Sequence, residues 1–188
     1  MEFLDVCNAR GEPTGEIVER GLAHREGIRH RTAHVWVLRR HAGRTEILLQ
    51  KRSRSKDSFP GLYNTSSAGH VPAGDEPLAS ALRELQEELG LRAEAADLRF
   101  IGTIENIYEK RFHGELFRDN EFCSVFVYTR PIDAAALHLQ ADEVERVDWF
   151  DLEEVRREIA HSRVRFCVPR EGLELLRRYL DSAEAEPS

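Results

Sequence analysis

Three glutamates near the middle of the chain are spaced so that they could hold a metal ion. Glu84 is followed by Glu87 at i+3 and by Glu88 at i+4, so on a helix the three carboxylates share one face. Such close like charges repel, and Arg83 is the cation nearest to them in the sequence. A divalent cation such as magnesium binds a few carboxylate oxygens and leaves its other positions to water and phosphates. A bound cation therefore explains the cluster better than an ordinary solvated helix face does.

The flanking residues predict the helix that must carry these carboxylates. Four leucines recur at helical spacing and form a stripe that can be buried: Leu78, Leu82, Leu85 and Leu89. Asp75 or Glu76 can cap the start of the helix, and Pro77 suits its first turn. Gly90 suits its C-terminal end. The predicted helix therefore presents an apolar stripe beside an acidic face.

The composition limits the classes of function. The 188 residues are 41% hydrophobic and 32% charged, which suits one domain with a substantial core. A formal net charge of −7 gives no basic surface for general nucleic-acid binding, so a small phosphorylated substrate is favoured over DNA or RNA. Neither a signal peptide nor a membrane span is visible, which predicts a cytoplasmic location and no membrane partner.

Cysteines and histidines are the other candidate metal ligands. The three cysteines are far apart and lack metal-ligand spacing: Cys7, Cys123 and Cys167. We interpret them as reduced, mostly buried thiols. His24, His30 and His34 fall in a segment predicted as a loop that enters a strand. Histidines spaced in this way could ligate a metal, although unligated histidines are the commoner outcome.

Runs of β-forming residues predict most of a sheet. Within residues 1–20, two short runs flank the turn-rich GEPTG and predict an N-terminal hairpin. The runs VWVL and EILLQ predict a second hairpin. Three later runs are strand-like: LRFIGTIENIY, EFCSVFVYT and VERVDWF. The segment GELFRDN, between the first two of these runs, is interpreted as a loop.

Two helices are predicted to follow the last strand. Asp151 with Glu154 forms a capping-box start for a helix over residues 152–160. A second helix is predicted over residues 169–180. Strands that alternate with helices, without a linker, indicate a single α/β domain over residues 1–182. The remaining residues, 183–188, are predicted to form a disordered tail.

The carboxylate helix belongs to a longer pattern. It contains a glycine, an acidic residue and an Arg-Glu-apolar-x-Glu-Glu-x-Gly-apolar run, here Gly69, Asp75 and residues 83–91. This pattern closely resembles the signature of the Nudix hydrolases. One position departs, because Asp75 stands where the family has glutamate. The resemblance implies the Nudix fold, an α/β (α+β) structure with a mixed β-sheet sandwiched between helices.

The same resemblance implies roles for individual residues. It makes Glu84, Glu87 and Glu88, together with the Gly69 carbonyl, the metal ligands. The implied cofactor is Mg²⁺, with Mn²⁺ as an alternative. Arg83 is implied to orient Glu87 through an i,i+4 ion pair.

Similarity to one branch of the family covers most of the chain. TGEIVERGLAH, LLQKRSRSKDSFPGLYNTSSAGH, DNEFCSVF and ADEVERVDWFDLEEV resemble the isopentenyl-diphosphate isomerases and their hydrolase-like relatives. In those isomerases a second metal is held at positions that match His24, His30, His70, Asp119 and Glu121. The first two histidines lie one residue closer together than in the bacterial pattern, and Asp119 replaces a glutamate. Arg52 and Lys56, in a basic segment, match phosphate-binding positions.

Two departures distinguish a hydrolase from an isomerase. Ala68 stands at the position of the isomerase's catalytic cysteine and cannot transfer a proton. The isomerases keep a glutamate at the Glu88 position but replace those at Glu84 and Glu87, whereas this chain has all three. We therefore expect a metal-dependent pyrophosphohydrolase that cleaves a diphosphate linkage in a nucleotide or nucleoside diphosphate derivative. An isomerase-like enzyme and a non-catalytic nucleotide-binding module are the alternatives.

Glu121 is the candidate base. It precedes the apolar run FCSVFVY, and Asp119 lies on the same side because strand side chains alternate with period two. Metal charge lowers the basicity of the clustered glutamates, so a carboxylate outside that cluster could accept the water proton or complete a second metal site. The alternative is the solvated end of a strand. The oligomeric state is left open, and a homodimer is compatible with the sequence.

Overall fold

The computed structural model describes residues 1–161 and 165–185. Within them the strands are β1 (Phe3–Cys7), β2 (Pro13–Glu19), β3 (His30–His41), β4 (Arg44–Arg52), β5 (Tyr63–Asn64), β6 (Ser67–His70), β7 (Leu98–Phe112), β8 (Glu115–Tyr128) and β9 (Val144–Asp151). The helices are α1 (Arg20–Glu26), α2 (Pro77–Leu89), α3 (Leu152–His161) and α4 (Arg170–Ala185). Each described helix is too short or too polar to cross a bilayer.

The sheet is organised around β3. This strand pairs antiparallel with β4 and β6. It pairs in parallel with β8, in a register that runs from His30 opposite Glu121 to Val37 opposite Tyr128. Outside these strands, β7 pairs with β8, β9 pairs with β4, and β2 pairs with β1. The sheet is therefore mixed, and its parallel and antiparallel pairings meet at β3.

Two hydrophobic cores lie on opposite faces of the sheet. Trp36 of β3 belongs to the core that includes Leu173 of α4 and residues of α3. Its neighbours Val35 and Val37 belong to the core that includes Leu85 of α2. Successive strand residues face opposite sides of a sheet, so α2 covers one face while α3 and α4 cover the other. This arrangement confirms the predicted mixed sheet between helices.

Helix α2 forms as its sequence predicts. Leu85 and Leu89 are fully buried, and the other two leucines of the stripe are partly buried against the same core. Glu76 occupies the N-cap position without a side-chain cap, and Pro77 is the first helical residue. Gly90 ends the helix with φ of 66°, a left-handed conformation that glycine adopts at low cost.

The two predicted hairpins are also confirmed, as β1 with β2 and β3 with β4. Helix α3 begins at Leu152 as expected. At its start, the Asp151 carboxylate accepts a hydrogen bond from the Glu154 amide at 2.9 Å.

Three local predictions are wrong. GELFRDN is not a loop, because β7 and β8 stay paired as far as Phe112 opposite Glu115 and only a tight turn joins them. His24 lies on α1, and the other two histidines of its segment lie within β3. Helix α4 extends to Ala185, so residues 183–185 of the predicted tail are helical. The rest of that tail, residues 186–188, lies outside the described residues.

Replacing Gly90 tests the end of α2. A Cβ there would lie 2.8 Å from His138 Cβ and 2.9 Å from its carbonyl oxygen. Gly43 has a similar φ of 76° but has open space around it. We expect Gly43→Ala to lower the free energy of unfolding by about 1–2 kcal/mol through backbone strain alone. Gly90→Ala should cost at least about 1 kcal/mol more because of the clash.

Urea denaturation of both variants measures this difference. Equal losses of stability would contradict the contact between the α2 terminus and His138.

Candidate active site

A cavity of about 340 Å³ is enclosed by residues from α1, α2, β3, β6, β7 and β8. Seven carboxylates and four cations line it: Glu2, Glu84, Glu87, Glu88, Asp119, Glu121 and Glu143 against Arg20, Arg52, Lys56 and Arg83. Carboxylates that share a restricted space repel unless cations are present. The excess of carboxylates therefore makes this cavity the candidate site for metal ions.

Glu88 lies at the inner end of the glutamate cluster. Only 5% of the residue is exposed, so Glu88 is not part of an ordinary solvated helix face, the alternative to a metal site. Its Oε2 accepts hydrogen bonds from Ser67 Oγ at 2.7 Å, Gln50 Nε2 at 3.1 Å and the Ala68 amide at 3.2 Å. Burial raises the pKa of Glu88 to about 7, because removal from water disfavours the charged carboxylate.

Gly69 allows the next glutamate to approach the backbone. A Cβ at this position would lie 2.2 Å from Cδ of Glu84, a distance that only glycine accommodates. Arg83 bridges Glu84 at 2.8 Å and Glu87 at 3.1 Å, so the predicted i,i+4 ion pair is present. The same guanidinium donates to the His70 carbonyl at 3.2 Å, which ties α2 to β6.

Three histidines and Asp119 form a second group in the same region. Oδ1 of Asp119 lies 3.6 Å from Nε2 of His24 and 3.9 Å from Nε2 of His30. The Nε2 atoms of His24 and His70 are 3.4 Å apart. His30 Nε2 and Asp119 Oδ1 are shielded from water and have no hydrogen-bond partner among the described residues. Since buried polar atoms normally find partners, a shared metal ion fits this donor set of imidazole nitrogens and carboxylate oxygen.

The protonation states of this group suit metal binding. Burial, and after it the neighbouring His30, lowers the pKa of His24 to about 3. Burial also lowers the pKa of His70 well below its usual value. Both rings are therefore neutral near pH 7, which is the form that ligates metals. Burial and then the Glu121 carboxylate raise the pKa of Asp119, so a nearby cation would favour its ionised form.

Glu121 lies well inside β8 rather than at the start of a strand. The residue is only 9% exposed, which excludes the solvated strand end. Its Oε2 accepts a hydrogen bond from Asn106 Nδ2 at 2.7 Å. Potential ligand atoms of Glu121, Asp119 and His30 lie within 4.8 Å of one another. The expected placement of Asp119 and Glu121 on one side of the strand is thus present.

The two predicted phosphate-binding residues also line the cavity. Arg52 donates to the Ser58 carbonyl at 2.8 Å and to its hydroxyl at 3.2 Å. Lys56 forms an ion pair with Glu143. Both cations are therefore held in place by partners from this chain.

Several polar residues at the cavity escaped the sequence analysis. Asn106 and Tyr108 of β7 line it together with Glu143. The sequence of β7 is typical of any strand. Only the alternation of strand side chains, which puts Asn106 and Tyr108 on one side, could have indicated that these two residues share a site. Ser67 and Gln50, which hold Glu88, are likewise visible only once β4 and β6 are placed beside α2.

With this geometry in place, comparison with known proteins decides the family. Residues 28–167 match the NUDIX domain family model. The chain belongs to the Nudix family. The match extends from just before β3 to the segment that precedes α4, and so includes both groups of candidate ligands except His24.

Curated relatives agree with this assignment. The chain is 41% identical over 159 residues to Nudix hydrolase 3 of Arabidopsis thaliana, a match that covers 82% of this chain and 20% of that protein. The chain therefore spans only about a fifth of that relative. It is 35% identical over 156 residues to the uncharacterized Nudix hydrolase CA_C0446 of Clostridium acetobutylicum, covering 83% of this chain and 73% of the relative.

Solved structures share the fold at low identity. The DR0079 protein of Deinococcus radiodurans has a TM-score of 0.69 at 19% identity, covering 95% of this chain and 99% of that one. The Nudix domain of Shewanella oneidensis NrtR, solved with ADP ribose, has a TM-score of 0.54 at 17% identity, covering 81% and 87%. The predicted family, fold and hydrolase class are confirmed, and divalent-metal use is general among such hydrolases.

The raised pKa of Glu88 predicts how stability depends on pH without metal. The folded protein keeps this proton up to about pH 7, whereas an unfolded glutamate loses it near its ordinary value of about 4.3. The folded state binds more protons in this window, so stability is greatest below it and falls as pH rises. We expect the free energy of unfolding to fall by up to about 3 kcal/mol between pH 5 and pH 8 in the presence of a chelator.

Urea denaturation at several pH values tests this expectation. Glu88→Gln should reduce the fall, and millimolar magnesium should oppose it by favouring ionised carboxylates. A fall of equal size in the variant would assign the effect to other groups, such as Asp119.

Proposed function

We propose that this Nudix hydrolase cleaves the diphosphate linkage of a nucleoside diphosphate derivative in a magnesium-dependent reaction. One observation carries the proposal: the three clustered glutamates of α2 and the histidine-carboxylate group contribute to one cavity. Basic residues line it as well, so metal ions, phosphates and water could meet there. The net negative charge of the chain and the small cavity favour a small phosphorylated substrate over a nucleic acid.

The glutamate group would hold magnesium. Glu84, Glu87 and Glu88, with the Gly69 carbonyl, offer the hard oxygen ligands that this ion prefers. Magnesium held by these residues would supply positive charge to the oxygens of the diphosphate, which would favour attack by water. Arg83 acts as a positioning residue, since its contacts with Glu84 and Glu87 fix where these carboxylates lie.

The histidine group supports a second cation site. His24, His30, His70 and Asp119 bring nitrogen and oxygen donors together, and Glu121 lies beside them. Two shielded donor atoms without hydrogen-bond partners among the described residues support this proposal more strongly than proximity alone.

Glu121 is the proposed general base. It is buried, and Asn106 fixes one of its oxygens, which leaves the other available to a water molecule. Arg52 and Lys56 would hold the distal phosphate through charge-assisted hydrogen bonds. Ala68, which also lines the cavity, offers no proton-transferring group at the position of the isomerase cysteine.

A substrate screen tests the reaction class. Nucleotides, sugar nucleotides, dinucleoside polyphosphates and coenzymes are incubated with the protein, and released phosphate, pyrophosphate or nucleoside monophosphate is measured. At least one nucleoside diphosphate derivative should be hydrolysed with magnesium and left intact with a chelator. Proton exchange on isopentenyl diphosphate in deuterated water, without hydrolysis of any compound, would instead support the isomerase.

Glu88→Gln should reduce kcat about a hundred- to a thousand-fold at fixed magnesium, the usual effect of losing one charged contact in a transition state. The amide oxygen can still accept the hydrogen bonds from Ser67 and Ala68, so the fold should remain. Glu76→Gln is the control, because Glu76 is an exposed glutamate at the opposite, N-terminal end of the same helix. Steady-state kinetics of both variants, with circular dichroism, measure the effect. Near-normal turnover by Glu88→Gln would exclude Glu88 from the metal site.

Glu121→Gln should lower kcat at least tenfold, or about 1.4 kcal/mol in the barrier, with a smaller change in KM. An amide cannot accept the water proton, whereas substrate contacts at the phosphates persist. Glu115→Gln, an exposed carboxylate on the same strand, should leave kcat unchanged. A kcat within about twofold of the parent for Glu121→Gln would move the base to another carboxylate.

A further inference from the structure

The parallel pairing of β3 with β8 creates a two-row polar face. Thr32 lies opposite Cys123 and His30 lies opposite Glu121 in the register of the two strands. Alternate residues of a strand share a side, so His34 continues the row on β3. Residues of these rows continue farther along the sheet as the apolar core around Trp36. The polar part of this face therefore ends in a cysteine and a histidine next to the core.

His34, Glu121 and Cys123 lie together at this inner end. Potential ligand atoms of the three residues all lie within 4.8 Å of one another. Cys123 Sγ donates to Glu121 Oε2 at 3.7 Å, and His34 Nε2 lies 3.5 Å from the hydroxyl of Thr32. Cys123 is fully buried, whereas His34 and Glu121 line the cavity, so an ion could reach the cysteine from the cavity past these two residues.

The donor set differs from the two groups already described. It contains sulfur, nitrogen and oxygen, whereas the glutamate group offers only oxygen and the other histidine group only nitrogen and oxygen. Thiolate and imidazole ligands select zinc-class transition metals, and magnesium avoids them. Three protein ligands with a fourth position left to water are the usual arrangement of an open zinc site.

We propose that His34, Glu121 and Cys123 form a transition-metal site of the zinc class beneath the hydrolase cavity. A zinc ion with bonds of about 2.0–2.3 Å keeps its ligand atoms about 3.5 Å apart, a spacing that falls within the 4.8 Å limit on the distances between the potential ligand atoms of these residues. Binding converts the Cys123 thiol to a metal-bound thiolate and releases its proton to solvent. The site does not depend on the proposed hydrolytic activity, although it would share Glu121 with it.

The alternative is that Cys123 only packs in the core. It contacts apolar residues such as Val125 in the core around Trp36, and buried cysteines often have no other role. Its thiol, however, donates to the Glu121 carboxylate, and that carboxylate lies beside the buried His34, so the polar neighbours of Cys123 include two ligand-type groups. The two alternatives differ in one measurable property, which is whether a metal–sulfur bond forms.

Cobalt substitution detects that bond. The purified full chain is titrated with Co²⁺ in millimolar magnesium, which occupies the hard oxygen sites, and its near-ultraviolet absorption is recorded. We expect a thiolate-to-cobalt charge-transfer band that saturates at one thiolate-bound cobalt per chain and disappears when zinc is added. Absence of the band over the whole titration would overturn the proposal.

Matched variants assign the band to its ligands. Cys123→Ser should abolish it, whereas Cys167→Ser should keep it, because Cys167 lines the cavity but is not part of the proposed site. His34→Gln should weaken cobalt binding at the thiolate at least tenfold. His70→Gln, which removes a histidine of the neighbouring group, should retain the band. A band lost in Cys167→Ser and kept in Cys123→Ser would refute the site.

One measurement needs no variant and so is unaffected by misfolding. X-ray absorption of protein loaded with zinc to saturation should require a sulfur ligand at about 2.3 Å in addition to nitrogen and oxygen ligands at about 2.0–2.1 Å. Spectra that fit with nitrogen and oxygen alone would show that zinc binds only the neighbouring group, and the proposal would fail.

Discussion

Repulsion between carboxylates confined in one cavity is the constraint on which the rest of the site depends. Glu88 and Glu121 are both nearly inaccessible to solvent, and each stands beside another acidic side chain. Burial reduces the screening of these charges by solvent, so the repulsion between them is stronger than on a surface. Protons or metal ions must therefore accompany the folded chain, and the raised pKa values of Glu88 and Asp119 report the proton alternative.

Strand β6 accommodates the carboxylates, because it supplies hydrogen-bond donors to one of them and leaves space for another. Ser67 and the Ala68 amide from β6 hold one oxygen of Glu88, while Gly69 leaves room for Glu84. Arg83 then joins helix α2 to the same strand through the His70 carbonyl. The short strand β6 is thus both a structural partner of α2 and a wall of the cavity, so its small residues serve packing and chemistry together.

The sequence predicts local features well and long-range neighbours poorly. Helix α2 is predicted by the spacing of its leucines and by Gly90, because both signals depend only on residues that are close together in the sequence. Cys123 is a free, buried thiol as predicted, but ligand spacing along the chain does not reveal which residues surround it. Its position beside His34 depends on the parallel pairing of β3 with β8, two strands that are far apart in sequence. The segment GELFRDN was misassigned for a similar reason, since its pairing with β7 outweighs its polar, turn-like composition.

Lys56 already forms an ion pair with Glu143, so an anion that approached Lys56 would meet a lysine that already has a carboxylate partner. A phosphate that bound Lys56 would compete with the carboxylate that already neutralises it, and Glu143 would repel that phosphate unless another cation paired with Glu143. Such a lysine favours highly charged ligands, because a weakly charged ligand is attracted to Lys56 less strongly than the Glu143 carboxylate is. Added salt should consequently weaken ligand binding less than a count of basic residues suggests, because Glu143 already neutralises Lys56 in the absence of ligand.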